Sequence, residues 1–165
     1  MAHKHYVPGM HGPYEFVASS RLDAPAERVW EHATTPEGVN DELRPFVRMT
    51  HPADVGFTPE TVVPGERLFR SWILLFGVVP IDYDDITLVR IDPGRGFLER
   101  SPMGSQRVWE HERRIEPDGT GCVVVDRVLH QPRAPVGGRW QSKLFRQFFL
   151  HRHRRLRRRF GGGPA

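Results

Sequence analysis

Apolar and polar residues alternate from residue 14 to 23, with Phe16, Ala18, Ser20 and Leu22 on one side and Val17, Ser19 and Arg21 on the other, which predicts a strand. The alternation ends in Asp-Ala-Pro, and Pro25 suits the first turn of a helix whose short apolar face is Val29, Trp30 and Ala33. A second short helix is predicted behind Thr34, which has capping-box spacing to Glu37, with Pro36 in the first turn. Gly38 and Asn40 weaken that helix, so two short helices in a bend fit better than one long one. From Pro45 onward the pattern turns to strands, at 46–50, 67–76, 84–92, 97–101, 107–116 and 122–131. Between them lie Pro-Gly, Gly-Val-Val-Pro, Asp-Pro-Gly-Arg-Gly, Ser-Pro-Met-Gly and Pro-Asp-Gly-Thr-Gly, residues that pre-set turns or supply positive φ. Links this short favour antiparallel neighbours.

The chain closes with a stretch at 138–160 that has no proline and no interior glycine, enough for one helix of about 30 Å. Wound at about 100° per residue, Leu144, Phe145, Phe148, Phe149, Leu156 and Phe160 fall on one arc, with Trp140 at its edge and Arg152 inside it. So many aromatic rings on one face require a wide apolar surface, which the upstream strands supply. The order strand, two short helices, six strands and one long helix predicts an α+β fold, an antiparallel sheet of about seven strands around the C-terminal helix.

Length and composition leave this picture intact and bound it. A chain of 165 residues, 38% hydrophobic and 27% charged, reads as one soluble domain over 14–160, with a flexible arm at 1–13 and a disordered tail at 161–165. His3 and His5 in the arm could chelate a metal only weakly. Cys122 is the only cysteine, so no internal disulfide forms, and with no apolar run of signal-peptide length the expected location is cytoplasmic. The longest apolar stretch, 72–81, is too short to span a bilayer. The net charge of +4 conceals an asymmetry: the last helix carries nine basic and no acidic residues, leaving 15 basic against 20 acidic elsewhere. The run from Arg152 through Arg159 could therefore meet an anionic partner such as nucleic acid, or be partly neutralised by its own domain.

Chemistry concentrates on the last two strands. Period two places Trp109, His111, Arg113 and Ile115 on one face and Val108, Glu110, Glu112 and Arg114 on the other. If the Asp-Gly-Thr-Gly stretch at 118–121 closes a four-residue hairpin, Arg113 faces Asp126, His111 faces Val128, Trp109 faces His130, and Glu112 faces Arg127. Glu99 and Ser101 share the inward parity if the turn after Pro102 has even register. An ion pair on an apolar inward face costs several kcal/mol unless it is well hydrogen-bonded or reaches water. This favours a hydrated cavity lined by Trp109, His111, Arg113, Asp126, His130 and Glu99, closed by Phe145, Phe148, Phe149 and Arg152 of the helix. The competing reading is a plain cross-strand ion pair beside a satisfied core histidine.

Catalysis through His111, Arg113 and Asp126 is the alternative use of such a cavity, His111 exchanging a proton and Arg113 stabilising an enolate oxygen. His111, His130 and Asp126 resemble a two-histidine, one-carboxylate metal set only loosely, and no metal is expected. His151 and His153 lie about 200° apart on the helix and cannot share an ion. Asp82, Asp84 and Asp85 read as solvated turn residues, and Cys122 as inert packing. No glycine loop cradles a phosphate, and no cofactor is expected.

Several strings together resemble the START-like (SRPBCC) superfamily, the Bet v 1-like helix-grip fold. They are Leu-Asp-Ala-Pro at 22–25 followed by Val29 and Trp30; Phe-Leu-Glu-Arg-Ser-Pro-Met-Gly at 97–104; Trp-Glu-His-Glu-Arg at 109–113; Asp126; and the aromatic, Arg and His run at 149–153. The resemblance covers about 14–160 and is strongest to polyketide cyclase or dehydrase-type proteins. It implies a helix-grip domain, monomer or homodimer, that binds a small hydrophobic molecule between sheet and final helix. A cyclase or dehydratase using the same cavity, and an interaction protein using the basic helix, are the alternatives.

Overall fold

The computed structural model describes residues 13–53, 61–134 and 136–165. The expected arm at 1–13 lies, except for Pro13, outside the described residues. Strand β1 (Tyr14–Leu22) leads through Pro25 into helix α1 (Ala26–Ala33) and helix α2 (Pro36–Leu43). Strands β2 (Val47–Met49), β3 (Arg67–Leu75), β4 (Val79–Asp92), β5 (Gly96–Arg100), β6 (Gln106–Asp118) and β7 (Gly121–Pro132) follow, then helix α3 (Gly138–Phe160) and a two-residue strand β8 (Gly163–Pro164). They form one curved antiparallel sheet in the order β2-β3-β4-β5-β6-β7-β1-β8. This is the α+β helix-grip arrangement expected, with eight strands in place of about seven.

The β6–β7 register follows from its turn. Asp118 pairs with Gly121, so Arg113 faces Asp126, Glu112 faces Arg127, His111 faces Val128, and Trp109 faces His130. The opposite face of the sheet carries exposed ion pairs such as Arg100–Glu110 and Arg127–Glu15.

Four local expectations are corrected. The cap of α2 is Thr35, whose Oγ1 accepts the Gly38 N–H at 3.1 Å, while Thr34 Oγ1 donates back to the Trp30 carbonyl. Strand β4 begins at Val79, not residue 84, so Asp84 sits mid-strand and faces inward with Ile86 and Leu88. The buried face of α3 is Phe149, Arg152, His153 and Leu156; Leu144 and Trp140 are exposed, so the arc is rotated from the one hydrophobicity alone suggested. The tail expected to be disordered returns to the sheet, Gly163 opposite Arg21 and Pro164 opposite Ser20. Gly162 makes that return possible, because at φ 101° a Cβ there would stand 2.1 Å from the Arg21 carbonyl oxygen.

Two apolar clusters fill the interior. Leu22, Ala24, Ala26, Val29, Ile115, Cys122, Val124 and Leu156 form one, and Phe16, Ala18, Val128 and Phe149 form the other. Between them lie buried polar positions from several elements: Ser20 on β1, Asp126 on β7, Arg113 on β6, and Arg152 with His153 on α3. The core is therefore two apolar blocks separated by a charged layer.

Candidate functional site

Arg113 organises this layer. Its side chain is 1% exposed and lies between two carboxylates. Nη1 and Nη2 donate to Glu42 Oε1 and Oε2 at 2.8 and 2.9 Å, while Nε and Nη2 donate to Asp126 Oδ1 and Oδ2 at 2.8 and 2.7 Å. Such paired, fork-shaped contacts let a guanidinium stay charged in a dry interior. Glu42, brought in from α2, also accepts from Arg152 Nε at 3.0 Å. Burial by itself would raise the Glu42 carboxyl, but Arg113 and Arg152 overcome it and hold the group at about 2. Asp126 is treated the same way, its burial outweighed by Arg113 and His111, and lies well below the usual carboxylate range.

Asp126 is also the meeting point of two histidines. His111 Nε2 stands 2.8 Å from Oδ1 and His153 Nε2 3.0 Å from Oδ2. Ser20 Oγ is 2.9 Å from His153 Nδ1 and accepts from Arg157 Nη1 at 2.7 Å. The other side of His111 faces Glu99, with Nδ1 3.6 Å from Oε2. Burial lowers His111, but the carboxylates of Asp126 and Glu99 reverse this and raise it above the ordinary histidine value. Glu99 is lowered despite burial, by His111, by the Ser101 hydroxyl donating at 2.6 Å, and by Asp84.

Asp84 behaves oppositely. It is 4% exposed, and burial together with the neighbouring Glu99 charge raises it well above a normal carboxyl. Its Oδ1 has no hydrogen-bond partner. Three carboxylates (Glu42, Asp126, Glu99) thus face Arg113, Arg152 and a His111 whose protonation they favour, while no basic group stands in an ion pair with Asp84 among the described residues.

On the far side of Glu99 and His111 is a cavity of about 110 Å³. Trp30, Ala33 and Val39 of the two short helices, Ile86, Leu88 and Ile91 of β4, Phe97 of β5 and Trp109 of β6 give it apolar walls. Asp84, Glu99, His111 and Arg152 are the charged or titratable groups at its surface. Of the residues expected to line a cavity, Trp109, His111, Glu99 and Arg152 do so. Arg113 and Asp126 stay inside the charge layer. His130 is buried with its Nδ1 3.1 Å from Gln106 Oε1, held down to about 4 by burial, and stacked on Tyr14. Phe145 packs edge-on against His130 and Trp109, and Phe149 against His111 and Phe16, so these rings plug the space the helix was expected to leave. Phe148 is half-buried and not among the cavity walls. The hollow thus lies under α1 and α2, and α3 contributes only Arg152.

Glu42, Asp84 and His153 escape a reading of the sequence. Asp84 shares the period-two parity of Ile86 and Leu88, and His153 lies one helical turn beyond Phe149, so both carried a signal. Glu42, on a short helix of weak pattern, carried none. A wider depression of about 990 Å³ opens among Arg28, Arg44, Arg48, His51 and Arg159, but it is polar and unenclosed. Among the described residues, no three His, Cys, Asp or Glu side chains converge as a metal site. No helix among them is long and apolar enough to cross a membrane. The basic residues of α3 are partly neutralised at home, Arg152 by Glu42 and Arg155 and Arg159 by Asp41.

An antiparallel sheet closed over a long C-terminal helix, with two short helices roofing a cavity, is the START-like, Bet v 1-like helix-grip fold. Solved structures carry the same fold. A START superfamily protein from Mycobacterium smegmatis superposes with a TM-score of 0.65 at 13% identity, covering 88% of this chain and 96% of that one. Protein CV1439 from Chromobacterium violaceum gives 0.66 at 11%, covering 90% and 98%, and Ara h 8.0201 gives 0.58 at 13%, covering 88% and 98%. No curated protein matches the sequence. The chain belongs to the family described as a domain of unknown function, DUF8410, whose profile matches residues 20–160.

Proposed function

We propose that the protein binds a small, mostly hydrophobic molecule carrying one hydroxyl group in the cavity beneath α1 and α2. The observation that carries this reading is Asp84: a buried carboxyl at the wall of a mostly apolar hollow, its ionisation opposed by burial and by Glu99, with one oxygen unpartnered. A buried polar atom without a partner costs about 1–3 kcal/mol, which a ligand hydroxyl recovers on binding. The volume, about 110 Å³, is close to that of engineered apolar cavities that take benzene, so the occupant is ring-sized. A charged ligand is disfavoured by the apolar walls.

Calorimetric titration with phenol and with toluene tests this. Phenol is expected to bind at least tenfold more tightly, about the worth of one hydrogen bond, and Asp84→Leu to erase the preference. Equal affinity for the two probes, or binding of neither, would overturn it.

A second reading, proton transfer of the cyclase or dehydratase kind, is favoured by the opposed shifts at the cavity wall, Asp84 raised beside a lowered Glu99 and a raised His111. It cannot run through Arg113, whose hydrogen bonds go to Glu42 and Asp126 away from the cavity. Deuterium exchange at the α-carbon of cyclopentanone in D₂O is the assay. Exchange above the buffer rate that disappears in Glu99→Gln supports proton transfer, and a rate equal to buffer removes it.

A further inference from the structure

The apolar stretch at 72–81 takes no part in the cavity walls. It forms the end of the β3–β4 hairpin, where Phe76 is 65% and Val78 75% exposed and Val79 and Ile81 are each more than half exposed. Phe46, whose carbonyl accepts the Phe76 N–H at 2.8 Å, extends the same exposed surface. No charged residue occurs from Ile73 through Ile81.

The hairpin is layered behind this tip. Trp72 is exposed and packs edge-on against Tyr83, ring centres 6.0 Å apart, about 13 Å back along the strand from Phe76. The Arg70 guanidinium lies 4.2 Å over the Tyr83 ring. Beside the turn, the stem of Arg48 passes 3.9 Å from where a Cβ of Gly77 would stand, and Arg44 is exposed nearby on the chain. The apolar tip thus has Arg48 at its flank and an aromatic pair behind it, with Arg70 behind that held by Asp85, a combination that lets apolar side chains enter the acyl boundary while an arginine stem snorkels to the headgroups.

We propose that the tip of the β3–β4 hairpin docks the protein onto the surface of an anionic lipid bilayer, with Phe76, Val78, Val79 and Ile81 entering the acyl boundary and Arg44 and Arg48 meeting lipid phosphates. The exposed apolar surface is on the order of 500 Å², the upper range for the largest patch of a monomer. A second copy would bury about 1,000 Å² in total against it, short of the roughly 1,200 Å² of the smallest stable interfaces. The wide depression that shares Arg44 and Arg48 with this end of the molecule is polar and offers no apolar surface to a second copy's tip. A fluid bilayer needs no matching shape. The proposal does not depend on what the cavity holds.

Flotation with vesicles of phosphatidylcholine and phosphatidylglycerol tests it on the full chain. Binding is expected, with Val78→Asp reducing the floated fraction at least tenfold and Phe76→Asn reducing it also. Asparagine tolerates the left-handed backbone of that position, φ 49°, and circular dichroism checks that both variants stay folded. A Val78→Cys variant labelled with nitrobenzoxadiazole adds a direct reading, since Cys122 is fully buried and stays unlabelled; its emission is expected to shift to the blue with vesicles. Failure of the parent to float at low salt, or flotation unchanged by Val78→Asp, overturns the proposal. So does a parent dimer in light scattering that Val78→Asp dissociates without any vesicle binding, which would assign the tip to a second copy.

Discussion

Replacing Glu42 by glutamine tests the charged layer at its most demanding point. The side chain keeps its shape, but Arg113 and Arg152 lose the carboxylate they converge on. Glu42 titrates at about 2 in the folded protein, against an ordinary value of 4.5, so its ionisation favours the folded state by about 3 kcal/mol at neutral pH. The sign follows from the lowered value: this stability is present above pH 4.5 and is lost as pH falls through the folded-state value. Glu42→Gln is therefore expected to cost about 3 kcal/mol at pH 7, a drop in melting temperature of roughly 6–12 °C for a chain of this size. The difference from the parent should shrink to about 1–2 kcal/mol at pH 3 and close near pH 2. Urea unfolding of both proteins at pH 7, 5 and 3, followed by circular dichroism, measures it. A difference that stays constant with pH, or is below about 1 kcal/mol at pH 7, would refute the argument that the two guanidiniums stabilise a buried carboxylate.

Three further outcomes are expected. His111 is raised by Asp126 and Glu99, so its contribution is complete below pH 6.5 and is lost as pH rises through the folded-state value; ¹⁵N NMR of the imidazole should place its titration above that of a free histidine, and His111→Gln should remove this alkaline loss of stability. Phe149→Ala should destabilise by about 3–5 kcal/mol in urea unfolding, because the ring is buried against Phe16, His111 and Trp109 and nothing nearby can collapse into its place. Deleting residues 163–165 removes only the short pairing with β1, so the melting temperature should fall by no more than a few degrees, whereas Gly162→Val, which forces a side chain against the Arg21 carbonyl, should displace the tail and give the same loss.

The hairpin register was legible because a turn of fixed length sets which residues oppose one another, and side-chain parity then follows without any knowledge of the rest of the fold. The long helix was legible by its length, but its orientation was not. His153 is polar and so dropped out of a pattern built on hydrophobicity, although it and Arg152 are buried with Phe149 and Leu156 and turn the inward face away from Leu144. Asp84 was lost to composition: a run of three aspartates around a tyrosine reads as a turn, whereas alternation with Ile86 and Leu88 places it inside. Glu42 could not be read locally, since what buries it is Arg113, 71 positions away, and no spacing on α2 records that partner. β8 is two residues long and carries no pattern at all.

The charged layer also explains why the cavity is where it is. In a helix-grip fold with a wholly apolar interior, the space between sheet and final helix would be continuous. Here Phe145 and Phe149 fill it on one side of the layer and Leu156 with Ile115 on the other, while Glu42, Arg113, Asp126 and Arg152 fix the distance between α2, α3 and the sheet through bonds of 2.7–3.0 Å. Closely paired buried charges cannot separate without exposing a bare charge to an apolar medium, so α3 is not free to lift and enlarge that space. The remaining volume lies on the other side of Glu99 and His111, under the two short helices. There Asp84 has no ion-pair partner among the described residues, and burial with the Glu99 charge beside it opposes its ionisation. On the proposed reading, selection would then fall on Asp84, whose partners leave one oxygen free at a mostly apolar wall, and would act through one hydrogen bond and through size.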